Sequence, residues 1–86
     1  MNIFLDPYFL KNYKKLISKN PSLRQIIKNK IKLFEENPLH PSLRIHKLSG
    51  KQEQWSIGIK SDLRIVFQYI DNGILLVNIG SHNQVY

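Results

Sequence analysis

The chain predicts an α+β domain: an N-terminal strand, a two-helix hairpin, and an antiparallel sheet of about four strands on which the hairpin packs. Three observations carry that expectation. Asp6-Pro7 and Asn20-Pro21 each open a stretch of helical apolar spacing, and Asn37-Pro38 closes the second. Three strand-like runs then follow in succession, 54–60, 63–70 and 74–79. Asp71-Asn72-Gly73 joins the last two and has the composition of a hairpin turn, because Asn-Gly accepts the positive φ angles that a tight turn needs.

Asn2-Ile3-Phe4-Leu5 is a short apolar opening suited to a strand. Asp6 is placed to cap a helix whose first residue is Pro7, since proline lacks only the N–H that a first turn leaves unbonded. Phe9, Leu10, Tyr13, Leu16 and Ile17 recur at helical spacing, with Lys11, Lys14, Lys15 and Lys19 largely on the other side. Asn20-Pro21 stops this helix and starts the next, whose stripe is Leu23, Ile26, Ile27, Ile31 and Phe34. Arg24, Lys28 and Lys32 recur at four-residue spacing as a basic ridge, either a solvated helix face or a docking surface for an acidic partner or RNA backbone. From Leu39 to Gln54 a proline, a glycine and the absence of sustained periodicity predict a loop, with a short extended piece at 43–46.

With 86 residues the chain holds one domain, spanning 1–86. It has no cysteine, which excludes disulfides and thiolate metal sites, and its three histidines lack the spacing of a structural metal site, so neither metal nor cofactor is expected. No apolar run approaches the ~20 residues of a membrane span, and the N-terminus lacks a signal-peptide pattern, so a cytoplasmic protein with no membrane partner is expected. The net charge of +7 points to a polyanionic partner, and between Lys11 and Lys32 every charged residue is basic.

Alternation along the three runs divides the sheet into two faces. Trp55, Ile57, Ile59, Leu63, Ile65, Phe67, Tyr69, Leu75, Val77 and Ile79 share the face expected under the helices. Gln54, Ser56, Gly58, Lys60, Asp62, Arg64, Val66, Gln68, Ile74, Leu76, Asn78 and Gly80 share the other, which is expected to be polar and open, with His82 added if the last strand continues. Asp62, Arg64 and His82 thus converge on adjacent strands, and His46 and Lys47 lie on a loop able to fold over them. These groups suit RNA cleavage without a metal. An arginine holds a phosphate bidentately and stabilises its developing charge. A histidine takes the proton of a ribose 2′-OH or delivers one to the leaving 5′-oxygen. A carboxylate orients the imidazole, and Tyr86 can stack on a base.

His46-Lys47-Leu48-Ser49-Gly50, Asp62-Leu63-Arg64-Ile65-Val66-Phe67 and Ile79-Gly80-Ser81-His82-Asn83-Gln84-Val85-Tyr86, in this order on this succession of elements, resemble the RelE/ParE superfamily of type II toxin–antitoxin toxins. Within it the chain is most similar to the RelE and YafQ mRNA interferase branch, over essentially its whole length. The resemblance implies a RelE-like fold and a toxin that inhibits translation as a ribosome-dependent, metal-independent endoribonuclease. Such toxins enter the ribosomal A site and cut mRNA by 2′-OH attack, leaving a cyclic phosphate. It implies catalytic roles for His46, Asp62, Arg64, His82 and Tyr86, with Arg44, Lys47, Lys51 and Lys60 binding mRNA and rRNA backbone. It also implies a cognate antitoxin, acidic or DNA-binding, that wraps the toxin. The histidine that YafQ-like members carry four residues before the carboxylate is Gly58 here. Two other readings stand beside this one: a ParE-like DNA gyrase inhibitor, and a degenerate domain that only binds an antitoxin.

Overall fold

In the computed structural model, which describes residues 1–48, 50, 53–81 and 85, the chain runs β1 (Ile3–Leu5), α1 (Pro7–Lys19), α2 (Leu23–Glu36), a 3₁₀ turn (Pro41–Leu43), β2 (His46–Lys47), β3 (Trp55–Lys60), β4 (Leu63–Ile70) and β5 (Gly73–Ser81). The strands form one sheet in the order β1-β5-β4-β3-β2. The class is α+β as expected, but the sheet has five strands and is mixed. β1 lies parallel to β5, whereas the other pairs are antiparallel. Three apolar residues carry no directional signal, so only the partner decides which way an edge strand runs. β2 has just two residues, too few for any periodicity, and the extended piece expected at 43–46 is displaced to 46–47 by the 3₁₀ turn before it.

The helices form as their end signals dictate, with one shift. The Asp6 carboxylate accepts the Tyr8 N–H at 2.8 Å, and the Asp6 N–H donates to the Leu76 carbonyl at 3.0 Å, which ties the start of α1 to β5. Asn20 ends α1 by donating to the Leu16 carbonyl. Pro21 and Ser22 form the turn, and α2 begins at Leu23. Leu23, Ile27 and Phe34 are buried, and Ile31 and Leu33 pack beside them; Ile26 is 38% exposed and lies off the stripe expected for it. The two helices cover one face of the sheet, α1 over β5 and α2 over β3. Between them and the sheet lies the core, in which the rings of Phe34 and Phe67 meet at 4.9 Å. Among the described residues no helix is long and apolar enough to cross a membrane.

Two irregularities decide which residues reach this core. Ile65 pairs with Ile79 and Val66 with Asn78, but Phe67 pairs with Leu76, so Val77 is an extra residue in β5. A bulge inverts the alternation on one side of itself. Ile74 (2% exposed) and Leu76 (0%) therefore enter the core in place of Leu75 and Val77. Val77 instead packs with Leu48, Val66 and Val85 in a second apolar cluster. The face expected to be polar and open is thus partly sealed, and the Ser56 side chain lies beneath its cover at 0% exposure. In β3, Gly58 pairs with Arg64 but Lys60 with Leu63, so Ile59 is the extra residue, and both Ile59 and Leu63 stay buried.

The hairpin turn consists of Asp71 and Asn72, with Ile70 paired to Gly73. The positive φ falls on Gly73 (φ 154) and on neither of the two turn residues. A side chain there would run into the Asn2 backbone, whose carbonyl accepts the Ile74 N–H at 2.9 Å. Glycine is thus required by the docking of β1.

The bulge is testable by stability. Leu76→Ala should cost about 2–5 kcal/mol in denaturant unfolding, as for a filled core site, and Leu75→Ala about 1 kcal/mol or less. Uninterrupted alternation would reverse that order.

Candidate active site

The site is assembled on the face of the sheet turned away from the helices, from β2, β3, β4 and the turn before β2. Leu43, fully buried, anchors the 3₁₀ turn in the core. His40 caps that turn by accepting the Ser42 N–H at 3.1 Å, and the Lys30 ammonium donates to the Ser42 carbonyl at 3.3 Å. Arg44 then takes the left-handed conformation, φ 48 and ψ 53, which non-glycine residues seldom adopt. This reversal brings the chain to the sheet edge as β2.

Directly opposed residues in a ladder share a face. His46 is opposite Ser56, and Gly58 is opposite Arg64, so three residues of the expected open face meet the histidine expected on the loop above it. The buried Ser56 hydroxyl accepts from Arg64 Nε at 3.0 Å and lies 3.5 Å from His46 Nε2. Arg64 Nη2 donates to the Arg44 carbonyl at 2.9 Å and lies 3.4 Å from His46 Nδ1. A guanidinium only donates, so any hydrogen bond across this contact has the imidazole nitrogen as its acceptor. Arg64 is therefore fixed in orientation by a hydroxyl and a carbonyl, with an exposed imidazole beside it.

Gly58 leaves its open side to other residues. A Cβ placed on it would come within 2.7 Å of Arg44 Nη2, 3.1 Å of Arg44 Nε and 3.2 Å of Arg64 Nη1. The room above this glycine is filled by two guanidiniums.

Asp62 is exposed in the Ser61–Asp62 connection at the end of β3. The next residue, Leu63, pairs with Ser81, so the strand that leads to His82 ends alongside the start of β4 and near Asp62. His82, Tyr86 and Lys51 themselves lie outside the described residues. Lys60 is exposed at the end of β3. Lys47 does not join His46. It is opposite Trp55, on the other face, with its Nζ 6.0 Å from the Trp55 ring centre, and it borders a cleft of about 290 Å³ with Glu53, Trp55 and Tyr69. A one-residue step along a strand reverses the side, which a loop reading could not register. Ser56 was not picked out from the sequence as a functional residue, although strand alternation already placed it on the face of Arg64.

A larger cleft, about 420 Å³, opens between α1 and the end of β5, where Asn12 Nδ2 donates to Asn78 Oδ1 at 2.8 Å and Tyr8, Lys15 and Lys19 form the rim. Among the described residues no three His, Asp or Glu side chains gather as a metal site would require.

A family described as the bacterial toxin of type II toxin–antitoxin system, YafQ, matches residues 1–86. Among solved structures, a metal-bound toxin from Helicobacter pylori is 28% identical over 100% of this chain and 99% of its own, with a TM-score of 0.79. A chain of the E. coli DinJ–YafQ toxin–antitoxin complex is 18% identical over 99% of this chain and 96% of its own, with a TM-score of 0.81. One from the YoeB–YefM complex of Staphylococcus aureus is 24% identical over 95% and 97%, with a TM-score of 0.75. These last two show the shared fold. No curated protein matches the chain in sequence.

Ser56→Ala should test how Arg64 is held. Removing a buried acceptor from a charged donor should lower stability by about 1–3 kcal/mol in denaturant unfolding and shift the His46 ring and Arg64 Nε resonances in NMR spectra. Unchanged resonances would show that Ser56 does not position either group.

Proposed function

This chain belongs to the YafQ family of bacterial type II toxin–antitoxin toxins, and from that premise we propose that it is an endoribonuclease that cuts mRNA in the ribosomal A site and so arrests translation. The observation that carries the reading is the placing of Arg64, locked by Ser56 and the Arg44 carbonyl, 3.4 Å from the exposed imidazole of His46. An oriented cation beside a proton-transfer group is what in-line attack on a phosphodiester uses.

In the reaction the ribose 2′-oxygen bonds to phosphorus and loses its proton, the P–O5′ bond breaks, and O5′ receives a proton. The products are a 2′,3′-cyclic phosphate and a 5′-hydroxyl. Arg64 neutralises charge on the non-bridging oxygens. His46 and His82 divide the two proton transfers, Asp62 orients an imidazole, and Tyr86 stacks on a base. Arg44, Lys51 and Lys60 attract mRNA and rRNA backbone, and the excess of +7 strengthens that attraction. Lys47, on the opposite face, contributes to the field rather than to this site. The partner in the resting cell is a cognate antitoxin, acidic or DNA-binding, and the compartment is the cytoplasm, where ribosomes are.

Induced expression in a bacterial host should stop growth and cleave translated mRNA within codons. His46→Ala and His82→Ala should each slow cleavage on purified ribosomes by about 10²–10⁴-fold. Arg64→Lys should not restore wild-type rates, because an ammonium lacks the planar fork. Cleavage by His82→Ala at the wild-type rate would remove it from proton transfer. DNA damage with intact mRNA would instead indicate a gyrase inhibitor, and the absence of any growth defect a domain that only binds antitoxin.

A further inference from the structure

We propose that Arg44 and Arg64 together form a two-guanidinium seat for a phosphodiester, built over the bare backbone of Gly58. The assignment of the phosphodiester to RNA rests on the nuclease reading above; the seat itself rests on geometry.

Gly58 is buried in β3 and its φ is not among the positive ones, so the strand itself does not require glycine there. What the position requires is the missing Cβ. That atom would lie 2.7 Å from Arg44 Nη2 and 3.2 Å from Arg64 Nη1, closer than such contacts normally come, so the two guanidiniums meet in the volume that any other residue would fill. Their meeting is built in from both sides. Arg64 is held by Ser56 and by the Arg44 carbonyl at 3.0 and 2.9 Å. Arg44 is held in the left-handed region by its N–H to the Pro41 carbonyl at 3.1 Å and by that same bond to Arg64. Backbone in this region costs free energy for a residue with a side chain and is found where surrounding structure enforces it.

The charge balance points outward. The two groups that fix Arg64, the Ser56 hydroxyl and the Arg44 carbonyl, are both uncharged. Two cations converging on neutral acceptors repel one another, and an anion between them converts that repulsion into attraction. Arg44 is exposed, so the approach is from solvent. Two planar forks on one side of a bare backbone match the two non-bridging oxygens of a phosphodiester. As the 2′-oxygen adds, the charge on those oxygens grows, and both guanidiniums then bind more strongly than before. Arg44 is thus a second phosphate arm, and Gly58 the residue that admits it.

The test uses the purified full chain with two probes, inorganic phosphate and a 2′-O-methyl RNA trinucleotide that cannot be cleaved, followed through the Gly58 amide and arginine Nε signals by NMR. Both probes should shift these signals in the wild type. Gly58→Ala leaves the net charge unchanged and displaces only the ends of flexible side chains, so the protein should melt within a few degrees of wild type yet bind both probes about tenfold more weakly. Arg44→Gln should weaken binding about tenfold or more, the double variant should be no weaker than Arg44→Gln alone, and the charge-matched Lys11→Gln should change affinity less than about twofold. Wild-type affinity in both Gly58→Ala and Arg44→Gln would overturn the seat. Binding of phosphate without binding of the trinucleotide would overturn the phosphodiester assignment. If the wild type cleaves no RNA on ribosomes while Gly58→Ala still loses phosphate, the nuclease reading fails and the seat stands. Cleavage by the wild type with unaltered binding in both variants leaves the nuclease reading and removes the seat.

Discussion

The alternation of β4 is the constraint on which the rest of the molecule depends. Ile65 and Phe67 are fully buried beneath the helices, so Arg64 and Val66, one residue out of step, must point the other way. A chain of 86 residues without cysteine has no covalent staple, and this central strand supplies the layer on which the core closes. A slip of one residue would bring the Arg64 guanidinium under the helices, where an unpaired charge is far too costly to keep. The register that secures the core therefore also aims the cation.

On the far face, packing and chemistry are interleaved. Leu48, Val66, Val77 and Val85 form a small apolar cluster, and Val66 is the ladder partner of Ser56. Shielding of this kind strengthens the bonds that the Ser56 hydroxyl makes, because water competes poorly there. The polar groups above it stay exposed, as His46 and Arg44 are. Rigid support beneath an exposed charged surface is the arrangement that electrostatic catalysis needs, since the donors do not have to reorganise when charge develops.

Much of the site was legible because strand alternation is a strong rule. It put Ser56, Gly58 and Arg64 on one face, and the structure brings them together with His46 and Arg44. The rule fails where one residue is inserted. Val77 and Ile59 are bulges with no signature in composition, so Leu75 and Val77 looked like core residues although Ile74 and Leu76 are. It also fails where pairing is too short to have a period. β2 has two residues, and only its pairing to Ser56 and Trp55 decides that His46 joins the site while Lys47 faces away.

By itself the sequence determined the succession of elements and the α+β class, because helix ends, turns and alternation are written in local chemistry. Tertiary structure alone decided the parallel direction of β1, the bulges, and the use of Gly58. As a sequence position that glycine looked like a missing group. In the fold its missing Cβ is occupied space, filled by Arg44 and Arg64, because what a glycine admits depends on side chains that come from 14 residues before it and 6 after it.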